Sequence, residues 1–130
     1  MTAPAGFATV TPYAFVDEAD AFVRFLIDGL GGEHVGVHYR PDGAIANAQV
    51  RIGTATMMVS EASADYPAMP ASYYLYVDDA DAAMARAIEA GATSIMAVED
   101  MPYDDRQGGI RDAHGNIWWI SQRLTDAPYY

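Results

Sequence analysis

Hydrophobic and polar positions change period along this chain, and each change marks an element. Thr11 to Val16 alternate β-branched and aromatic residues, as a half-buried strand requires. From Asp17 the spacing becomes helical, with Ala21, Phe22, Phe25, Leu26 and Leu30 on one face. Asp17 or Asp20 is expected to cap that helix, and Gly29, Gly31 and Gly32 to stop it. Residues 34–40, 44–52 and 54–60 read as strands, divided by the turn Pro41-Asp42-Gly43 and by Gly53.

The same order then repeats. Tyr13-Ala14-Phe15-Val16-Asp17-Glu18-Ala19-Asp20-Ala21 matches Tyr74-Leu75-Tyr76-Val77-Asp78-Asp79-Ala80-Asp81-Ala82, 61 positions later. That offset also carries Thr11 onto Ser72, Ile27 onto Ile88 and Met58-Val59-Ser60 onto Trp119-Ile120-Ser121, so the register holds across a whole module. The second helix is expected to bury Ala83, Met84, Ala87, Ile88 and Ala92, to be capped by Asp78 or Asp81, and to stop at Gly91. Residues 93–98 read as extended, 99–106 as a loop, 107–111 as a strand, Asp112 to Asn116 as a turn, and 117–123 as the last strand. The prediction is an α+β chain of two tandem βαβββ modules in one domain over 1–130: module one at 7–60, a linker at 61–71, module two at 72–123. The ends, 1–6 and 124–130, are expected to fray.

Composition narrows the chemistry. There is no cysteine, and all seven basic residues are arginine, so thiolate and lysine catalysis are excluded. Eighteen acidic residues give a formal charge of -11, which argues against nucleic acid as a partner. No run of eighteen apolar residues and no basic-then-apolar leader is present, so no membrane partner is expected and the predicted location is cytoplasmic.

Together the strings TPYAFVDEADA, PDGAIANAQVRIG, YYLYVDDADA, MPYDDRQGGIRD and DAHGNIWWIS resemble the PhnB-like branch of the vicinal oxygen chelate superfamily, which includes glyoxalases, bleomycin-resistance proteins and dioxygenases. The resemblance covers residues 9–123. It implies two curved sheets forming a cupped mixed sheet, a homodimer, and, in catalytic members, a metal held by the first and last strands of the modules. The positions matching those ligands are Thr11, Met58, Ser72 and Trp119, and these make no plausible divalent site. A one-residue slip would place Pro12 or Tyr73 there, which rescues nothing, and Gln49 alone cannot hold a metal.

His34 and His38 resemble a metal pair, but in a regular strand they lie on one face about 13 Å apart, so a solvent-face or edge role is expected. His114 is read as a turn residue. If Thr11 and Ser72 face a pocket, alternation brings Tyr13, Phe15, Tyr74 and Tyr76 with them, followed by Thr56, Met58, Ser60, Ile117 and Trp119. The opposite face, Ala14, Val16, Val59, Leu75, Val77, Trp118 and Ile120, is expected beneath the helices. The aromatic face either binds a small molecule or fills a core or dimer contact. Tyr103 and Arg106 stand at the expected rim, where Arg106 could pair with Asp105 or an acidic ligand group, and Arg111 with Asp112. The expected ligand-binding set is therefore Tyr13, Phe15, Met58, Tyr74, Tyr76, Tyr103, Arg106 and Trp119, taking a small, possibly aromatic molecule without metal or other cofactor. The alternative is a metal-dependent lyase or dioxygenase with non-standard ligands.

Overall fold

A computed structural model describes residues 2–130 of the chain. It forms two compact units, the first ending at Pro70 and the second beginning at Ala71. The first contains β1 (Tyr13–Val16), α1 (Ala19–Asp28), β2 (Glu33–Tyr39), β3 (Ile45–Ile52) and β4 (Ala55–Glu61). The second contains β5 (Ser72–Tyr76), α2 (Ala80–Glu89), β6 (Thr93–Asp100), β7 (Asp105–Arg111) and β8 (Ile117–Arg123). Each unit is a βαβββ module with a mixed four-stranded sheet, ordered β1-β4-β3-β2 and β5-β8-β7-β6. The first and last strands of each module pair in parallel, and the other pairings are antiparallel.

The repeat survives at atomic register. The two helices begin and end 61 positions apart. Tyr13 pairs with Met58 and Tyr74 with Trp119, so both members of each pair carry the same offset. Phe22, Val23, Phe25 and Leu26 of α1 are buried, as are Ala14, Val16, Val50 and Val59 on the strands. In module two, Ala80, Met84 and Ala87 of α2 are buried with Ile110, Trp118 and Ile120. Burial of such side chains is the main favourable term in folding. Ile88, expected in this core, is instead 44% exposed, and Leu75 and Val77 are only half-buried.

Helix starts depart from the expected caps in an instructive way. Glu18, not Asp17 or Asp20, precedes α1; it sits in the left-handed region at φ 55° and contributes no side-chain cap. The backbone N–H groups of Glu18 and Ala19 donate instead to the two carboxylate oxygens of Glu61, at 3.0 and 2.9 Å. Free N–H groups at a helix start need such partners, and a carboxylate there also meets the positive end of the helix dipole. Module two repeats the device 61 positions on. Asp79 rather than Asp78 or Asp81 caps α2, accepting from Ala82 N at 3.1 Å, while Gln122 Oε1 accepts from Ala80 N at 3.0 Å. In both modules the end of the last strand thus fixes the first turn of the helix. At the other end of α1, Gly29 keeps right-handed geometry, and the reversal falls on Gly31 at φ 76°.

Two further differences come from irregular pairing and from the ends. A register shift between His34 and Gly36 sets His34 opposite Val50 but His38 opposite Asn47. The histidines therefore lie on opposite faces of edge strand β2, where uninterrupted alternation had put them on one. Residues 124–130 do not simply extend away: Leu124 N donates to Asp104 O at 2.9 Å, and Arg123 Nη2 to Ala127 O at 2.7 Å. Among the described residues no helix is long and apolar enough to cross a membrane.

The cap account predicts that Glu61→Ala lowers the unfolding free energy by about 1 kcal/mol in urea denaturation, the usual worth of an N-terminal cap. Glu61→Gln should recover most of it, because Gln122 performs this task in module two. Equal losses in both variants would contradict the account.

Candidate functional site

The chemically distinctive part of the chain is one face of the module-two sheet. In register, Tyr74 lies beside Trp119 and Gly109, Tyr76 beside Ser121 and Gln107, and Arg123 beside Asp105. The alternate residues Leu75, Ile120 and Gly108 belong to the opposite face, where a side chain on Gly108 would run into Met84 of α2. The first set therefore faces away from the helix. Gly109 lets the Trp119 indole lie close, since a Cβ there would come within 2.8 Å of the ring.

Asp105 is the centre of this face. It is completely inaccessible to solvent, yet it is an acidic residue. Its Oδ2 accepts the hydroxyls of Tyr74 at 2.5 Å and Tyr129 at 2.7 Å, and its Oδ1 accepts Arg123 Nη1 at 3.0 Å. Burial alone pushes the carboxyl up, but the hydrogen bonds from Tyr74, Tyr129 and Arg123 outweigh it and hold Asp105 below its ordinary range. Asp105 is therefore ionised at neutral pH. Burial, followed by the bond to Asp105, raises Tyr74, and the hydrogen bond shared with the Tyr76 hydroxyl, burial and the bond to Asp105 raise Tyr129 well above the ordinary phenol range. Both phenols remain protonated donors.

The surrounding groups fix this cluster. Arg123 Nη1 also donates to Tyr103 O at 2.5 Å, and its guanidinium lies 4.0 Å from the centroid of the Tyr129 ring. Tyr103 donates its hydroxyl to Gln107 Oε1, and Gln107 Nε2 donates to Ser121 Oγ at 2.6 Å. Just before Asp105, Asp104 adopts φ 63°, a left-handed conformation that aspartate tolerates better than most residues. Bonds Met101 N to Asp105 O and Asp104 N to Met101 O close the loop around it. The result is a cleft of about 590 Å³, walled by Tyr74 and Tyr76 of β5, Tyr103 and Asp104 of the loop, Arg123 of β8 and residues 128–130. Tyr74, Tyr76, Tyr103 and Tyr129 are each between 43% and 56% exposed, so their rings are open to a ligand.

Of the residues singled out from sequence, Tyr74, Tyr76 and Tyr103 come together in this cleft. Trp119 shares their face, and its indole N–H donates to Ser72 Oγ at 3.0 Å. Tyr13, Phe15 and Met58 lie in module one, where the Tyr13 and Phe15 rings are 4.9 Å apart and Met58 pairs with Tyr13. Phe15 also meets Tyr66, at 5.7 Å. Thr56 and Ser60, expected on the pocket face, are buried. Thr56 Oγ1 donates to Gly6 O at 2.6 Å, and Ser60 Oγ accepts from Arg40 Nη2 at 3.1 Å.

Arg106 does not pair with Asp105. It forms a two-point contact with Asp81 of α2, at 2.7 and 3.1 Å, and reaches Asp100 at 3.0 Å, on the helix side of the sheet. Strand alternation makes neighbouring residues diverge in this way. Asp112, proposed for Arg111, is buried and accepts from Trp118 Nε1 at 2.8 Å and from Asn116. Sequence reasoning missed Asp105, Arg123 and Tyr129 as partners because it placed Asp105 in a loop and residues 124–130 in a fraying end. An acidic residue two positions before Gln107, in strand alternation, was the available signal.

The positions that match the superfamily's metal ligands do not fit a divalent ion. Ser72 Oγ already accepts the Trp119 N–H, an indole is a donor only, and Met58 offers a thioether. Thr11 donates its hydroxyl to Ala8 O at 3.1 Å. Among the described residues no group of three histidine, aspartate or glutamate side chains is placed to hold a metal.

Comparison with known proteins agrees with the fold. The chain is 31% identical to an uncharacterized protein of Mycobacterium bovis, over 90% of this chain and 84% of that protein. It is equally similar to an uncharacterized protein of Mycobacterium tuberculosis, covering 75% of that protein. Among solved structures, TioX from Micromonospora superposes with a TM-score of 0.71 at 22% identity, covering 88% of this chain and 99% of TioX. TnmS3, described as an antibiotic binding protein from Streptomyces, superposes with a TM-score of 0.69 at 20% identity, covering 85% of this chain and 91% of TnmS3. At those identities the likeness shows the fold alone. Residues 6–120 match the family as a whole, and the chain belongs to the Glyoxalase/Bleomycin resistance protein/Dioxygenase superfamily.

Proposed function

We propose that this protein binds a small, flat aromatic molecule in the module-two cleft without using a metal. The observation that carries this reading is the cleft itself: partly exposed tyrosines arranged by a buried, ionised Asp105. Tyrosine rings offer broad apolar area with little flexibility, and fixed polar groups orient what stacks on them. The volume of about 590 Å³ lies in the range of small-molecule sites. That TnmS3, which shares this fold, is described as an antibiotic binding protein supports the binding reading. The strings that resemble the PhnB-like branch, and the superfamily's habit of pairing, support that branch and a homodimer as parts of the same proposal.

Titration with a planar aromatic such as an anthraquinone, followed by tryptophan fluorescence, should show saturable binding that is unchanged by EDTA. Tyr76→Ala should weaken it up to about tenfold, the scale of one lost aromatic contact. Binding or turnover that needs an added divalent ion would instead favour the lyase or dioxygenase alternative.

The anchor can be tested without any ligand. Asp105→Asn should cost about 1.5–3 kcal/mol at neutral pH, as expected for hydrogen bonds to a buried charged group. Because Asp105 is held below its unfolded value, its contribution is fully present above that ordinary value of 3.8 and disappears as pH falls through the lowered native value. Urea denaturation should therefore show a steeper acid loss of stability in the parent than in Asp105→Asn. Parallel acid profiles would contradict this assignment.

A further inference from the structure

Residues 124–130 include no helix or strand, and most are exposed. Tyr129 nevertheless makes the most specific set of contacts in the cleft. Its hydroxyl bonds Asp105 Oδ2 at 2.7 Å and the Tyr76 hydroxyl at 2.9 Å, and its ring lies against the Arg123 guanidinium at 4.0 Å. A phenol has one proton, and an ionised carboxylate can only accept. Tyr129 therefore donates to Asp105 and accepts from Tyr76. The seat it fills asks for a planar ring over a guanidinium, bearing a hydroxyl that donates on one side and accepts on the other.

We propose that Tyr129 occupies, from within the chain, the seat of the ligand's own phenol: the molecule taken by this cleft is a hydroxylated arene, and it binds by displacing Tyr129. This rests on the ligand-binding reading above and names the ligand class and the gate. If Tyr129 leaves, Asp105 keeps Tyr74 on Oδ2 and Arg123 on Oδ1, so the carboxylate stays paired and regains one acceptor position facing the cleft. The incoming ring covers again the surface that Tyr129, 45% exposed, leaves behind, and Tyr130 is fully exposed in either position. Arg123 Nη2 to Ala127 O and Leu124 N to Asp104 O tether it on the near side and allow it to swing as a short strap. A ligand that must first open such a contact binds more weakly by the fraction of molecules in the open state.

The test compares 2-naphthol with 2-methoxynaphthalene, which has the same rings but cannot donate, on the full chain and on Tyr129→Ala and Tyr129→Phe. In Tyr129→Ala, 2-naphthol should bind about tenfold more tightly than in the parent, the worth of one hydrogen bond to a charged group. The methoxy compound should bind that variant about tenfold more weakly than 2-naphthol, because it leaves Asp105 without its third donor. Tyr129→Phe, which keeps the ring over Arg123 but removes the competing hydroxyl, should fall between parent and Tyr129→Ala. Adding Asp105→Asn to Tyr129→Ala should shrink the preference for the hydroxyl, because only a neutral amide oxygen is left to accept it. If both compounds bind, but equally and with no gain in either Tyr129 variant, the aromatic site stands and the phenol seat is overturned. If neither compound binds any variant while circular dichroism shows the fold retained, both readings fail.

Discussion

A carboxylate removed from water must be met by donors, or the chain will not fold with it charged. Asp105 meets that requirement with two phenols and a guanidinium drawn from β5, β8 and the segment beyond β8. The demand reaches outward. Arg123 is held by Tyr103 and Ala127, Tyr103 by Gln107, and Gln107 by Ser121, so the loop, the sheet and the 124–130 segment share one hydrogen-bonded network. Isolated from that network, Asp105 would be a liability; within it, the residue aligns an aromatic wall that is open on its other side. The buried pair works here as a device of placement, and its value lies in orientation more than in net stability.

The two modules show what is scaffold and what is site. Both join helix to sheet through the last residues of their final strand, Glu61 in one and Gln122 in the other. Both keep the parallel pairing of first and last strands at the same offset. They differ where the cluster stands. Aligning Ala48–Val59 with Gly108–Ile120 places Ile45 of β3 at the position of Asp105. Ile45 is a buried apolar residue, so module one has no such acid to satisfy. Duplication preserved the architecture, and the distinctive chemistry lies in one copy.

Much of the architecture could be read from sequence because a strand or helix with one buried face writes its period into the residues. Tyr13 to Val16 and Tyr74 to Val77 did so clearly, and their common offset matched the two βαβββ modules element by element. Features that depend on one extra residue or on a distant partner left no periodic trace. The shift beside His34 reversed one histidine, and Glu61 replaced the nearby aspartates at the start of α1. In the site, Tyr74, Tyr76 and Tyr103 were legible from alternation and position. Asp105 was not, because β7 begins two residues earlier than the hydrophobic pattern indicates; Tyr129 was not, because its partners lie across the sheet. Arg106 was placed on the wrong side by the same boundary.

The most direct measurement of the central claim is a residue-resolved NMR titration of the full chain with 2-naphthol. The account predicts saturable shifts concentrated at Tyr74, Tyr76, Tyr103, Asp105, Arg123 and Tyr129, with the helix-side residues Arg106 and Asp81 unaffected. Shifts confined to residues outside that cleft, or none at saturating probe, would contradict it.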